Sequence, residues 1–188
     1  IFVKIYFMKK YIYLFLILFS GILHAQDKPK LVVGIIVDQM KMEYLYRYSD
    51  DLSSNGFKRL MDNGYTFHNM NYNYVPTYTA PGHASIYTGS TPSNHGIVAN
   101  EWHYRPFNRE VNCVEDTTVL TVGSTSDYGK RSPYFLRANT ITDQLKMAQN
   151  YKSKSISIAL KDRGSILPGG HTADAAYWYD SADGYWIS

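Results

Sequence analysis

Cysteine is nearly absent from this chain. Cys113 is the only one in 188 residues, so no disulfide can form within the chain and no thiolate cluster can hold zinc. The thiol reads as buried and idle, or else as one half of a bridge to a cysteine beyond Ser188. None of the five histidines after residue 25 has a second at metal-ligand spacing, and His83, His95 and His171 read as structural. There is no internal repeat and no low-complexity linker. Net charge is also missing once the N-terminus is set aside. The formal +3 comes from Lys4, Lys9 and Lys10, which precede residue 26 with no acid among them, and the remainder balances 16 basic against 16 acidic residues. A neutral remainder lacks the electrostatic footprint of a nucleic-acid-binding protein.

What is present begins with a leader. Met8-Lys9-Lys10 precedes the apolar run Tyr11 to Phe19, too short to span a bilayer, and then small residues up to Ala25. That order describes a secretory signal peptide over residues 1–25, starting at Met8 and cut before Gln26, although Leu23 is larger than usual three places before a cut. An uncleaved membrane anchor is the alternative. A periplasmic or secreted protein is expected, touching the membrane only through this export signal, with residues 26–188 as its mature part.

The mature part alternates strand and helix signals. Leu31 to Val37 is a continuous apolar run ending at Asp38, which reads as a buried parallel strand. Asp51 to Asn63 reads as a helix closed near Gly64, and Tyr65 to Tyr74 as an extended stretch ended by Pro76. Thr79 to Thr88 reads as a helix with Pro81 in its first turn and Gly89 at its end. Residues 100–127 look irregular and polar. Thr140-Ile141-Thr142-Asp143 has the form of a capping box opening a helix through about Asn150. Ser155 to Leu160 is a second apolar strand, and Ala175 to Tyr179 with Tyr185 to Ile187 suggests a hairpin. This rhythm predicts an α/β fold, a doubly wound, mostly parallel sheet flanked by helices. Ending inside the hairpin, the chain reads as the N-terminal part of something longer.

In such sheets ligands gather at the carboxyl ends of the strands. Asp38 there offers a hard carboxylate to a divalent ion, or serves as a helix cap. Thr79 at a helix N-terminus meets unpaired N–H groups and the positive end of the dipole, which suit a phosphoryl group, but the same residue could be a plain cap. As a nucleophile its hydroxyl needs a base or a metal. Lys161 and Arg163, two apart after a strand, would share a face if the extension continued and could clamp phosphate oxygens. Otherwise they are solvated charges with Asp162 between them.

Four segments resemble one family. The run Asn73 to Gly89, centred on Thr79-Ala80-Pro81-Gly82-His83, resembles the nucleophile motif of the nucleotide pyrophosphatase/phosphodiesterase-like branch of the alkaline phosphatase superfamily. It is most similar to the phosphate-irrepressible alkaline phosphatases of Gram-negative bacteria. Val33 to Met40 resembles the first metal-ligand strand, and Gly96 to Asn100 the segment with the phosphate-contacting Asn. Ala159 to Gly164 resembles the Lys-x-Arg element of the monoesterases. The matches keep the family's order from about Lys30 onward. The resemblance implies two zinc ions, with Asp38 and the Thr79 oxygen on one of them, and the other ligands in segments beyond Ser188. It also implies a phosphothreonine intermediate on Thr79, with Asn100, Lys161 and Arg163 holding the non-bridging oxygens of small phosphate monoesters. The 188-residue chain alone is expected to be inactive. A phosphodiesterase of the same superfamily and a metal-free binding or structural protein are the alternatives.

Overall fold

The computed structural model describes residues 29–188, so the expected leader lies outside it. The chain divides into a first unit, Ile1–Ile36, and a second, Val37–Ser188. In the first unit residues 31–36 form no regular structure, and Leu31 and Ile35 are 77% and 75% exposed. The buried strand expected at Leu31–Val37 is therefore not formed. Apolar character makes a strand possible, but hydrogen bonds to a neighbour make it real. No described strand pairs with this run.

The second unit opens with two short helices, α1 (Glu43–Arg47) and α2 (Phe57–Asn63). The helix expected from Asp51 begins only at Phe57 because Gly56 has φ 69°, a left-handed conformation no helix can contain. Helix α3 (Thr79–Thr88) has the expected bounds. Gly89 at φ 64° ends it, its N–H bonded to the Ser85 carbonyl at 2.9 Å. A single turn, α4 (Pro92–His95), follows.

The stretch expected to be irregular holds a hairpin, β1 (Glu101–Tyr104) against β2 (Arg109–Asn112), with Trp102 opposite Val111. Asn108 at φ 47° turns the chain between them, a conformation asparagine tolerates better than most residues. Polar residues on its open face hid it from a hydrophobic-pattern reading. Helix α5 (Ile141–Ala148) starts at the expected capping box, with the Thr140 and Asp143 side chains each bonding the other's backbone N–H.

β3 (Ile156–Ala159), helix α6 (Asp162–Gly169) and β4 (Ala175–Asp180) form a βαβ unit, β3 and β4 pairing parallel from Ile156–Ala175 to Ala159–Trp178. β5 (Tyr185–Ile187) returns antiparallel as the expected hairpin. The α/β class thus stands, with one parallel and one antiparallel pairing in this described sheet. Along β4 the side chains alternate: Trp178 and Asp180 are buried, Tyr177 and Tyr179 exposed. The core joins Ala80 and Ala84 of α3 and Ile166 and Leu167 of α6 to Trp178 and Ile187 of the sheet and to Ile97, Val111 and Leu136. Helices α3 and α6 lie side by side: a β-carbon at Gly164 would stand 3.9 Å from His83 Nε2, in ordinary van der Waals contact.

Candidate active site

The first turn of α3 is the centre of the site. Tyr78 is the N-cap and Thr79 the first helical residue, so Thr79 does not act as a cap. Its hydroxyl instead donates to Asp38 Oδ2 at 3.3 Å. Asp38 is exposed and lies in a tight turn in which the Met40 N–H reaches the Val37 carbonyl. Gln39 takes φ 60° there, an unusual conformation for a residue with a β-carbon. That turn aims the carboxylate at Thr79 across 41 residues of sequence.

The free N–H groups expected at this helix start are fewer than the motif suggests. Pro81 has none, and Ala80 gives its N–H to Asn100 Oδ1 at 2.9 Å. The Ala80 bond orients Asn100. With Oδ1 committed, the amide Nδ2 has no described partner and is left to donate to a ligand. Asn100 is also fixed through its carbonyl, which accepts the Cys113 N–H at 2.9 Å.

His83 is buried and donates Nδ1–H to the Thr79 carbonyl at 2.8 Å, since a carbonyl can only accept. This agrees with a supporting role. His95 is likewise structural and fully buried: its Nδ1 accepts the Ile97 N–H, while Nε2 bonds Ser85 of α3 at 2.9 Å. Burial holds its pKa below the ordinary histidine value. The Tyr72 hydroxyl lies beside Gly82, and its pKa is raised, first by burial and then by Tyr74 and Asp38.

Lys161 and Arg163 do not share an extended face, as their spacing suggested. Lys161 is the exposed N-cap of α6 and Arg163 lies in its first turn, because Asp162 opens a helix and its Oδ1 accepts the Arg163 N–H at 2.7 Å. The start of α6 still lies against the start of α3, through Gly164 and His83. Asp162 is no solvated charge. It is 2% exposed, and Arg131 Nε donates to its Oδ2 at 3.2 Å. The sequence reading missed both Asp162 and Arg131; an acidic residue at a helix start was the available signal for the first. Cys113 is buried as expected, and burial with the nearby Asp162 charge pushes its thiol pKa up to about 12.

Residues 32–186 match the model of the type I phosphodiesterase / nucleotide pyrophosphatase family. The chain belongs to that family. Its relatives include the alkaline phosphatase PhoV of Synechococcus elongatus, 53% identical over 86% of this chain and 29% of the relative. The alkaline phosphatase PafA of Elizabethkingia meningoseptica is 48% identical over 90% of this chain and 32% of the relative. A Myroides odoratus protein named a calcium-transporting ATPase is 52% identical over 86% and 30%. The crystal structure of wild-type alkaline phosphatase PafA superposes with a TM-score of 0.83 at 49% identity, over 85% of this chain and 31% of that one. This chain therefore spans about a third of the length of the family members it matches, and its α/β fold is theirs.

Proposed function

We propose that the full-length protein hydrolyses small phosphate monoesters, with Thr79 as nucleophile. The observation that carries this is the Thr79 hydroxyl at the start of α3 facing the open carboxylate of Asp38. Thr79 Oγ attacks phosphorus, the ester P–O bond breaks, and the alcohol leaves with a proton. Water then attacks the phosphothreonine, the P–Oγ bond breaks, and phosphate departs as Thr79 regains its proton. Asn100, oriented by Ala80, donates Nδ2–H to a non-bridging oxygen, and Lys161 and Arg163 offset the charge on the others.

Asp38 and Thr79 suit one zinc ion of the pair that the family resemblance implies. Their oxygens lie 3.3 Å apart, the spacing of two ligands on a tetrahedral ion with metal–oxygen bonds of about 2.0–2.2 Å. The described residues contain no group of three or more His, Cys, Asp or Glu at metal-binding distance. Bound zinc would lower the pKa of the Thr79 hydroxyl and stabilise the departing oxygen. Periplasmic or secreted placement belongs to the same reading and rests on the leader sequence.

A phosphodiesterase is the second reading. It is favoured by the family's description and by Arg163, which lies near Asp162 rather than on an extended face with Lys161. Matched aryl monoester and diester substrates separate the two. A monoester presents more charge to a Lys–Arg clamp, so replacing Lys161 and Arg163 together by Ala should cost monoester kcat/KM several kcal/mol, about the loss expected for charged contacts, and diester kcat/KM much less. Equal losses would favour the diesterase.

A further inference from the structure

The Arg163 side chain is largely buried, yet makes no hydrogen bond to any described residue: Nε is enclosed without a partner and Nη1 stands 3.7 Å from Asp162 Oδ1. A buried donor left unpaired is costly, so the observation calls for an acceptor from beyond the described residues. The nearest acceptor, Asp162, is already engaged. Its Oδ1 takes the Arg163 N–H and its Oδ2 takes Arg131 Nε. Arg131 is held from two further sides, with Nη1 donating to the Lys130 carbonyl at 2.9 Å and the guanidinium 5.7 Å from the centre of the Tyr128 ring. Two guanidiniums thus share one carboxylate, and the group keeps one net positive charge.

We propose that Arg131 is a positioning residue for the phosphate clamp. By taking Asp162 Oδ2 it holds the Arg163–Asp162 contact at a loose 3.7 Å ion pair without a side-chain hydrogen bond, and so leaves the Arg163 N–H groups and charge directed to the phosphoryl group. Without Arg131, the adjacent carboxylate would capture Arg163 as a neutral ion pair, and the clamp would lose the charge that discriminates a monoester from a diester. This rests on the clamp role given above to Lys161 and Arg163.

The test uses the full-length protein and two readouts, the affinity for inorganic phosphate by calorimetry and the monoester-to-diester ratio of kcat/KM. Arg131→Gln keeps an N–H facing Asp162 and removes the charge, along with the contacts to the Lys130 carbonyl and the Tyr128 ring. It should weaken phosphate binding about tenfold and lower the ratio by a similar factor. Adding Asp162→Asn should restore both to within about threefold of the parent, because the carboxylate that captured Arg163 is gone. Arg131→Lys, which keeps the charge, should stay within about threefold of the parent. A merely structural Arg131 would show no such rescue. Unchanged values for Arg131→Gln, or a loss that Asp162→Asn does not relieve, overturns the inference. If Lys161→Ala/Arg163→Ala lowers the ratio and Arg131→Gln does not, the inference alone fails; if neither does, the clamp beneath it fails too. Should Arg131→Gln not fold, the crystal structure of the phosphate-bound parent decides. Arg163 on phosphate with Arg131 still on Asp162 supports the inference, and Arg163 paired to Asp162 overturns it.

Discussion

Two carboxylates in this molecule follow opposite designs. Asp143, at the start of α5, is fully buried, and both oxygens are saturated. Oδ2 accepts from the Thr140 N–H and hydroxyl at 2.8 and 2.9 Å, and Oδ1 from the Thr172 N–H and hydroxyl, both at 2.8 Å. Asp38 is exposed, and its one described hydrogen bond comes from Thr79 at 3.3 Å. Burial raises the Asp143 pKa, but the bonds from Thr140 and Thr172 outweigh it and hold the carboxyl below its usual range. A carboxylate with every lone pair used can only hold structure together. One held in place by a strained turn, with lone pairs left over, can take a cation.

The comparison predicts losses of different kinds. Asp38→Asn in the full-length protein should lower turnover at least about a hundredfold, as expected when a metal ligand is lost. Its melting temperature should stay within about 2 °C of the parent, because an exposed side chain with a single long bond supports little structure. Activity surviving with that stability would place Asp38 on the structural side of the comparison.

Asp143→Asn should do the reverse. Its amide turns two accepting positions into donors facing donors, costing about 3 kcal/mol in denaturant unfolding. The folded fraction should keep the parent's kcat.

A smaller effect separates the support of α3 from its chemistry. The pKa of His95 is lowered by burial, so the unfolded chain binds a proton more readily than the folded one. Its contribution to stability is therefore complete above the ordinary histidine pKa of about 6.5 and declines as the pH falls below it. His95→Gln should flatten that part of the stability–pH curve, measured by denaturant titration from neutral pH downward. An unchanged slope would mean that His95 titrates normally in the fold.

Much of the scaffold was legible because its signals are local. Pro81 and Gly89 bound α3, Thr140 and Asp143 cap α5, and Gly184 at φ 77° turns the β4–β5 hairpin. Helix α6 was not, since Gly164, Pro168 and Gly169 read as helix breakers while its stability comes from packing against β3 and α3. The strand at Leu31–Val37 failed for the complementary reason: its sequence is right, but no described partner bonds to it. In the site, each of Asp38, Thr79 and Asn100 has an ordinary structural reading by itself, and no spacing rule joins residues 41 or 20 positions apart. The family resemblance joined them. Asp162 and Arg131 stayed hidden because their pairing is tertiary.

The central claim is that Thr79 carries the phosphoryl group. The full-length protein is quenched in acid during incubation with an aryl phosphate monoester, and its peptides are read by mass spectrometry. The account predicts one phosphoryl group on the peptide containing Thr79, on the threonine itself. In Thr79→Ala that species should be absent and turnover should fall by several orders of magnitude, while Thr79→Ser should be phosphorylated at the same position and keep a measurable share of activity. Near-normal turnover by Thr79→Ala, or a phosphoryl group trapped on another residue, would contradict it.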